Sequence, residues 1–138
     1  MLGTIGSHVR MDGTVISDAV NLASRIESMT KELKTPLIIS ETSFKMLKNK
    51  NNFYLREIDR VIVKGKTKPV AIYECFNYDN PERVQSKFSI MKDFENGIHE
   101  FFNHNYNDAK IYFEKCNLNY KDDLIIAEYL NRCKAKLN

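Results

Sequence analysis

At 138 residues the chain holds one domain, or one small domain with an appendage, which excludes a large two-lobed enzyme. Its 43% hydrophobic and 28% charged content is that of a soluble protein with a packed core, and excludes a disordered chain. The net charge of +3 comes from 21 basic and 18 acidic residues with no basic block or aromatic-interleaved patch, so no nucleic-acid partner is implied.

The first half alternates strand and helix signals. "LGTIGS" (residues 2–7) is short, apolar and glycine-flanked, and predicts a strand end turning into a loop. "TVIS" (14–17) is β-branched and predicts a second strand, with Ser17 or Asp18 as N-cap of a helix running from about Asp18 to Leu33. Ala19, Leu22, Ala23, Ile26, Met29 and Leu33 fall on one arc of that helix. Asn21 and Arg25 lie one turn apart on its flank, so they share a face and look sideways into whatever cleft the helix borders. "TPLIIS" predicts a buried strand, and "SETSFKMLKN" a short helix capped by Ser40. "FYLREID" and "VIVKGK" predict two strands, the glycine of "VKGKTKP" a tight hairpin, and "KPVAIYECF" a closing strand.

After Phe76 the character changes. "NYDNPERV" carries turn formers and a proline, placing a boundary there: residues 1–78 form the first part, 79–86 a linker and 87–138 a helical module. Phe94, Ile98, Phe101 and Phe102 fit one helix, Ala109, Phe113 and Cys116 a second, and Ile126, Leu130, Cys133 and Leu137 a third. The aromatic stripe Phe94, Phe101 and Phe113 reads as bundle core. Cys75, Cys116 and Cys133 sit inside apolar patterns without CxxC spacing, which predicts reduced, buried thiols in a reducing compartment. His8, His99 and His104 lack metal-ligand spacing. No apolar run approaches the ~20 residues that span a bilayer and no signal peptide opens the chain, so a cytoplasmic location is expected.

Taken in order, the Gly-x-Ile-Gly-Ser turn (residues 3–7), the Thr-Val-Ile-x-Asp-x-Val-Asn-x-Ala-x-Arg junction (14–25) and the Val-Lys-Gly-Lys hairpin (63–66) resemble the second half of a class III nucleotide cyclase catalytic domain. The resemblance covers about 75 residues. It implies an α+β fold, the C-terminal part of a ferredoxin-like cyclase domain. The tail, with Gly97, Phe101, Tyr106, Ala109, Phe113 and Cys116 at small and aromatic positions, resembles one tetratricopeptide repeat plus a capping helix, and departs from it at Lys121, where proline is usual.

In that family the 3′-hydroxyl of ATP or GTP attacks the α-phosphate of its own nucleotide and pyrophosphate leaves. The resemblance makes Arg25 the guanidinium that stabilises charge on the α-phosphoryl oxygens, Asn21 the amide that orients the ribose, and Lys64 the contact to the β- and γ-phosphates. Thr14 takes the base-recognition position, which favours ATP over GTP. Each has a plainer reading: Asn21 and Arg25 as a solvated helix flank, Lys64 as a hairpin lysine that discourages edge pairing and Thr14 as a β-former; Asp18 reads as an N-cap rather than a metal ligand. Gly13 stands where the family has an aromatic, and Ser17 where it has glycine.

The resemblance also implies a head-to-tail homodimer with Mg²⁺ or Mn²⁺ held by two aspartates of the other subunit. Those aspartates belong to a first half that this chain does not contain. The expectation is therefore a fragment of an adenylate cyclase that makes no cyclic nucleotide by itself. A second expectation, of another class, is a non-catalytic interaction module in which a cyclase remnant and the helical tail bind a protein partner.

Overall fold

The computed structural model describes residues 13–35, 37–62 and 68–138, with side chains from Leu22 onward. The elements run α1 (Gly13–Glu32), β1 (Ile38–Ser40), α2 (Glu41–Met46), a 3-10 turn (Lys50–Asn52), β2 (Leu55–Val61), β3 (Val70–Cys75), α3 (Pro81–Ser89), α4 (Met91–Phe102), α5 (Tyr106–Asn119) and α6 (Leu124–Leu137). The class is α+β, as expected. β3 lies centrally in a three-stranded antiparallel sheet of order β1-β3-β2.

Residues 14–17 are corrected from strand to helix, because α1 is continuous from Gly13, and Ser17 and Asp18 lie inside it rather than capping it. β-branched residues disfavour a helix by at most ~0.7 kcal/mol each, which a cooperative 20-residue helix absorbs. The helix ends in a Schellman turn. Lys34 adopts φ 50° and the Thr35 N–H donates to Thr30 O at 3.2 Å. Ile26, Leu33 and Leu22 pack on the core beside buried Met29, whereas Ala23 is exposed.

Ser40 caps α2 as expected, its hydroxyl accepting from the Ser43 N–H at 3.2 Å. β2 takes up most of the strand expected over "FYLREID" and runs on to Val61, the first residue of "VIVKGK"; residues 63–66 of that second strand, with the glycine hairpin, lie outside the described residues. β3 is the expected closing strand.

Most of the stretch read as a linker is helical. Asn80 accepts from the Arg83 N–H at 2.8 Å and Pro81 sits at the first helical position, so the Asn-Pro pair opens α3. Three helices follow where the apolar spacing predicted them. α4 closes on a second Schellman turn with His104 at φ 66°. Gly97 lets α5 approach, since a Cβ there would lie 2.8 Å from the Phe113 ring.

One apolar cluster runs through sheet and tail. Ile58 and Ile72 of the strands and Met29 of α1 join Phe94, Ile98, Phe113, Ile126 and Cys133 of the helices. Tyr129 lies at its centre, stacked on Phe113 at 5.0 Å and edge-on to Phe94 and Phe101. The three cysteines are buried, as expected. Among the described residues no helix is long and apolar enough to cross a membrane.

Candidate active site

Continuous helix over residues 13–32 places positions 21 and 25 one turn apart on one face, as the spacing predicts. Thr14 lies in the first turn of α1 rather than in a strand. The side chains of Thr14 and Asn21, and Lys64 altogether, lie outside the described residues. Arg25 is described, and it is the site residue on which the geometry bears.

The Arg25 side chain is 46% exposed, and its Nη2 donates to Asp59 Oδ2 at 2.7 Å. Asp59 is 2% exposed. A β-bulge puts it there. In the β2–β3 ladder Glu57 faces Tyr73 and Asp59 faces Ile72, so Ile58 is an extra residue, and Ile58 and Asp59 both turn inward.

A buried carboxylate needs full compensation. Asp59 Oδ1 accepts from the Arg60 N–H at 2.8 Å. From the tail, Arg132 aims a fork at it, Nη1 to Oδ1 at 3.3 Å and Nη2 to Oδ2 at 3.4 Å. The Tyr129 hydroxyl donates to Ile58 O at 2.8 Å and stands 3.4 Å from Asp59 Oδ1, so the shorter contact takes its single hydrogen. Burial first, then the Asp59 charge, push the Tyr129 phenol well above its ordinary pKa and keep it a neutral donor. Burial by itself would lower the Arg132 pKa, but Tyr129 and Asp59 beside it raise it above the usual value. Arg132 is held by Glu128 at 2.9 Å and by the Tyr129 ring, 4.7 Å from its guanidinium carbon. A cleft of about 210 Å³ opens between α1 and α6, lined by Arg25, Ser28, Glu32, Glu128 and Arg132.

A second ion network ties the sheet to the tail. The Arg56 side chain is fully buried and donates to Glu74 Oε1 from Nε at 3.0 Å and Nη2 at 2.7 Å, and from Nη1 to Asp123. Lys87 bridges Glu74 and Asp79 at 2.6 Å each. Burial would lower the Arg56 pKa, yet Asp123 and Glu74 raise it, so the guanidinium stays charged.

Sequence reasoning missed Asp59, Tyr129 and Arg132, together with Arg56, Glu74, Lys87 and Asp123. One signal was present: "FYLREID" sets three charges, Arg56, Glu57 and Asp59, into an expected strand.

Among the described residues no group of three or more His, Cys, Asp or Glu side chains could hold a metal ion. Asp59, Glu74 and Asp123 each face arginine or lysine. The described residues therefore do not fit a Mg²⁺ or Mn²⁺ centre.

A half-exposed arginine thus stands one turn after an asparagine, on a helix beside an antiparallel sheet. The family model for the adenylate and guanylate cyclase catalytic domain matches residues 1–75, and the chain belongs to that family. It is 32% identical over 134 residues to the terminal-differentiation-specific adenylate cyclase of Dictyostelium discoideum, covering 96% of this chain and 6% of that one. It is 45% identical over 75 residues to an adenylate cyclase of Anabaena cylindrica, covering 54% of this chain and 15% of the relative. With the photoactivated adenylate cyclase subunit beta of Euglena gracilis it shares 35% identity over 74 residues, 54% of this chain and 8% of that subunit. The chain thus spans only 6–15% of the length of these relatives. No solved structure matches it.

Proposed function

We propose that this chain is the part of an adenylate cyclase that brings Asn21, Arg25, Lys64 and Thr14 to an active site shared in a head-to-tail homodimer. The substrate is ATP, and the products are cyclic AMP and pyrophosphate. The 3′-oxygen bonds to the α-phosphorus as the bond from that phosphorus to the pyrophosphate oxygen breaks, and the hydroxyl proton is lost. Charge gathers on the α-phosphoryl oxygens, where a fixed cation in a confined site lowers the barrier. Arg25 supplies it. Asn21 can both donate to and accept from the ribose, which suits it to aligning the hydroxyl.

The observation that carries this reading is the attitude of Arg25. Among the described residues its guanidinium is bonded through one terminal nitrogen to a single buried carboxylate, which leaves it half-exposed and oriented. The family match supports nucleotide cyclisation, and the names of the three relatives support ATP as the substrate. Mg²⁺ or Mn²⁺ belongs, on this reading, to carboxylates outside the described residues. Residues 1–78 are the catalytic part, and 87–138 a tetratricopeptide-like hairpin with its capping helix. The alignment to the Dictyostelium cyclase runs through that tail, which supports a cyclase origin for it.

The test is Arg25→Ala in the full-length cyclase, assayed with ATP and Mg²⁺. A loss of roughly 10²–10³-fold in kcat is expected, the range for removing one preorganised donor to a developing anion. Cyclic AMP formation at the original rate would overturn the proposal.

A further inference from the structure

Two guanidinium groups from distant parts of the chain meet on one carboxylate. Arg25 holds Asp59 Oδ2 at 2.7 Å, while Arg132 faces both oxygens from 3.3 and 3.4 Å. The Arg132 contacts are parallel and fork-on-fork, the geometry that makes arginine–carboxylate pairs strong, but they are a few tenths of an ångström longer than such a pair at full strength. Arg25 has the tighter bond.

That arrangement raises a problem for catalysis by Arg25. A guanidinium that moves onto a phosphoryl oxygen gives up all or part of its bond to Asp59. Asp59 is 2% exposed, so its carboxylate depends on protein partners rather than water for its compensation. Leaving a buried carboxylate without a cation is among the most destabilising changes a protein interior can undergo. Arg25 would then be held back by the group that orients it.

Arg132 removes the difficulty. Its Nε is anchored to Glu128 at 2.9 Å, and its plane lies over the Tyr129 ring. Both terminal nitrogens already point at the two Asp59 oxygens, so a small inward shift completes the fork. The Arg60 N–H stays in place at 2.8 Å throughout. We propose that Arg132 is the reserve counter-ion of Asp59, a positioning residue that takes over the carboxylate when Arg25 turns to the substrate. The C-terminal helix thereby becomes part of the catalytic site. This inference rests on the role given to Arg25 above.

The full-length cyclase carries the test, with kcat and KM for ATP measured at fixed Mg²⁺. Arg132→Gln leaves Asp59 dependent on Arg25, so kcat falls on the order of tenfold while KM changes little. Arg132→Lys keeps a cation beside Asp59 and recovers most of the rate. Adding Asp59→Asn to Arg132→Gln removes the charge that detains Arg25, and turnover rises again. A merely structural Arg132 would show the opposite, since a second substitution in the same buried cluster would only add damage. The inference is overturned if Arg132→Gln turns over like the parent, if Asp59→Asn fails to rescue it, or if Arg132→Gln loses its folded circular dichroism. Arg25→Ala separates the two claims. If it is inactive while Arg132→Gln is fully active, only the reserve role fails; if it is fully active, the reading of Arg25 itself fails.

Discussion

Asp123→Ala tests whether the ion network between sheet and tail supports the fold. Asp123 is 6% exposed and has two tasks, accepting from Arg56 and capping α6 through the Ile125 N–H at 2.9 Å. Removing it leaves Arg56, whose side chain is 0% exposed, with Glu74 as its remaining carboxylate partner among the described residues. Breaking a buried pair costs about 3–5 kcal/mol, and the low end applies because Glu74 still holds two guanidinium nitrogens. Loss of the N-cap adds about 1 kcal/mol. The sum, roughly 4 kcal/mol, corresponds to a fall in Tm of about 10–15 °C for a chain of this size. Asp123→Asn keeps an acceptor for the cap and should lose about 3 kcal/mol. Lys31→Ala, at an exposed pair with Glu27, should cost less than about 0.5 kcal/mol. Thermal and urea unfolding followed by circular dichroism reads all three. A loss within about 1 kcal/mol for Asp123→Ala would refute the reasoning, because the buried guanidinium would then not need its second carboxylate.

Gly97→Ala should destabilise by about 1–2 kcal/mol, although alanine is the better helix former by about 1 kcal/mol. The added methyl would sit 2.8 Å from the ring of fully buried Phe113, which cannot move aside, and a raised Tm would contradict this. Burial, followed by the charges of Asp93 and Asp123, pushes the Cys116 thiol up to about 12. The folded thiol then keeps its proton while the unfolded chain loses it, so its contribution to stability is complete below about pH 8.5 and is lost as pH climbs toward 12. Cys116→Ala should flatten the alkaline limb of a stability–pH curve, and an unchanged limb would count against the assignment.

What the sequence by itself determined was local. Spacing of three and four put Phe94, Ile98, Ala109, Phe113 and Cys133 on buried helix faces, where the structure has them. Ser40 announced its cap, and positions 21 and 25 announced their common face. Ordered motifs over the first part named the family. Local signals also misled: β-branched residues at 14–17 suggested a strand inside what is one long helix. Such preferences amount to tenths of a kcal/mol per residue, and tertiary packing overrides them.

Only the tertiary structure decided which charges are buried and with whom. Asp59 meets Arg25 across 34 residues and Arg132 across 73, and Arg56 meets Asp123 across 67. In sequence these are ordinary surface charges. An extra residue at Ile58 in the ladder turns Asp59 inward, and the tail then closes over it. No periodicity encodes that event, because it depends on two distant segments packing together, and the low dielectric they create is what binds an aspartate and two arginines into one ion cluster.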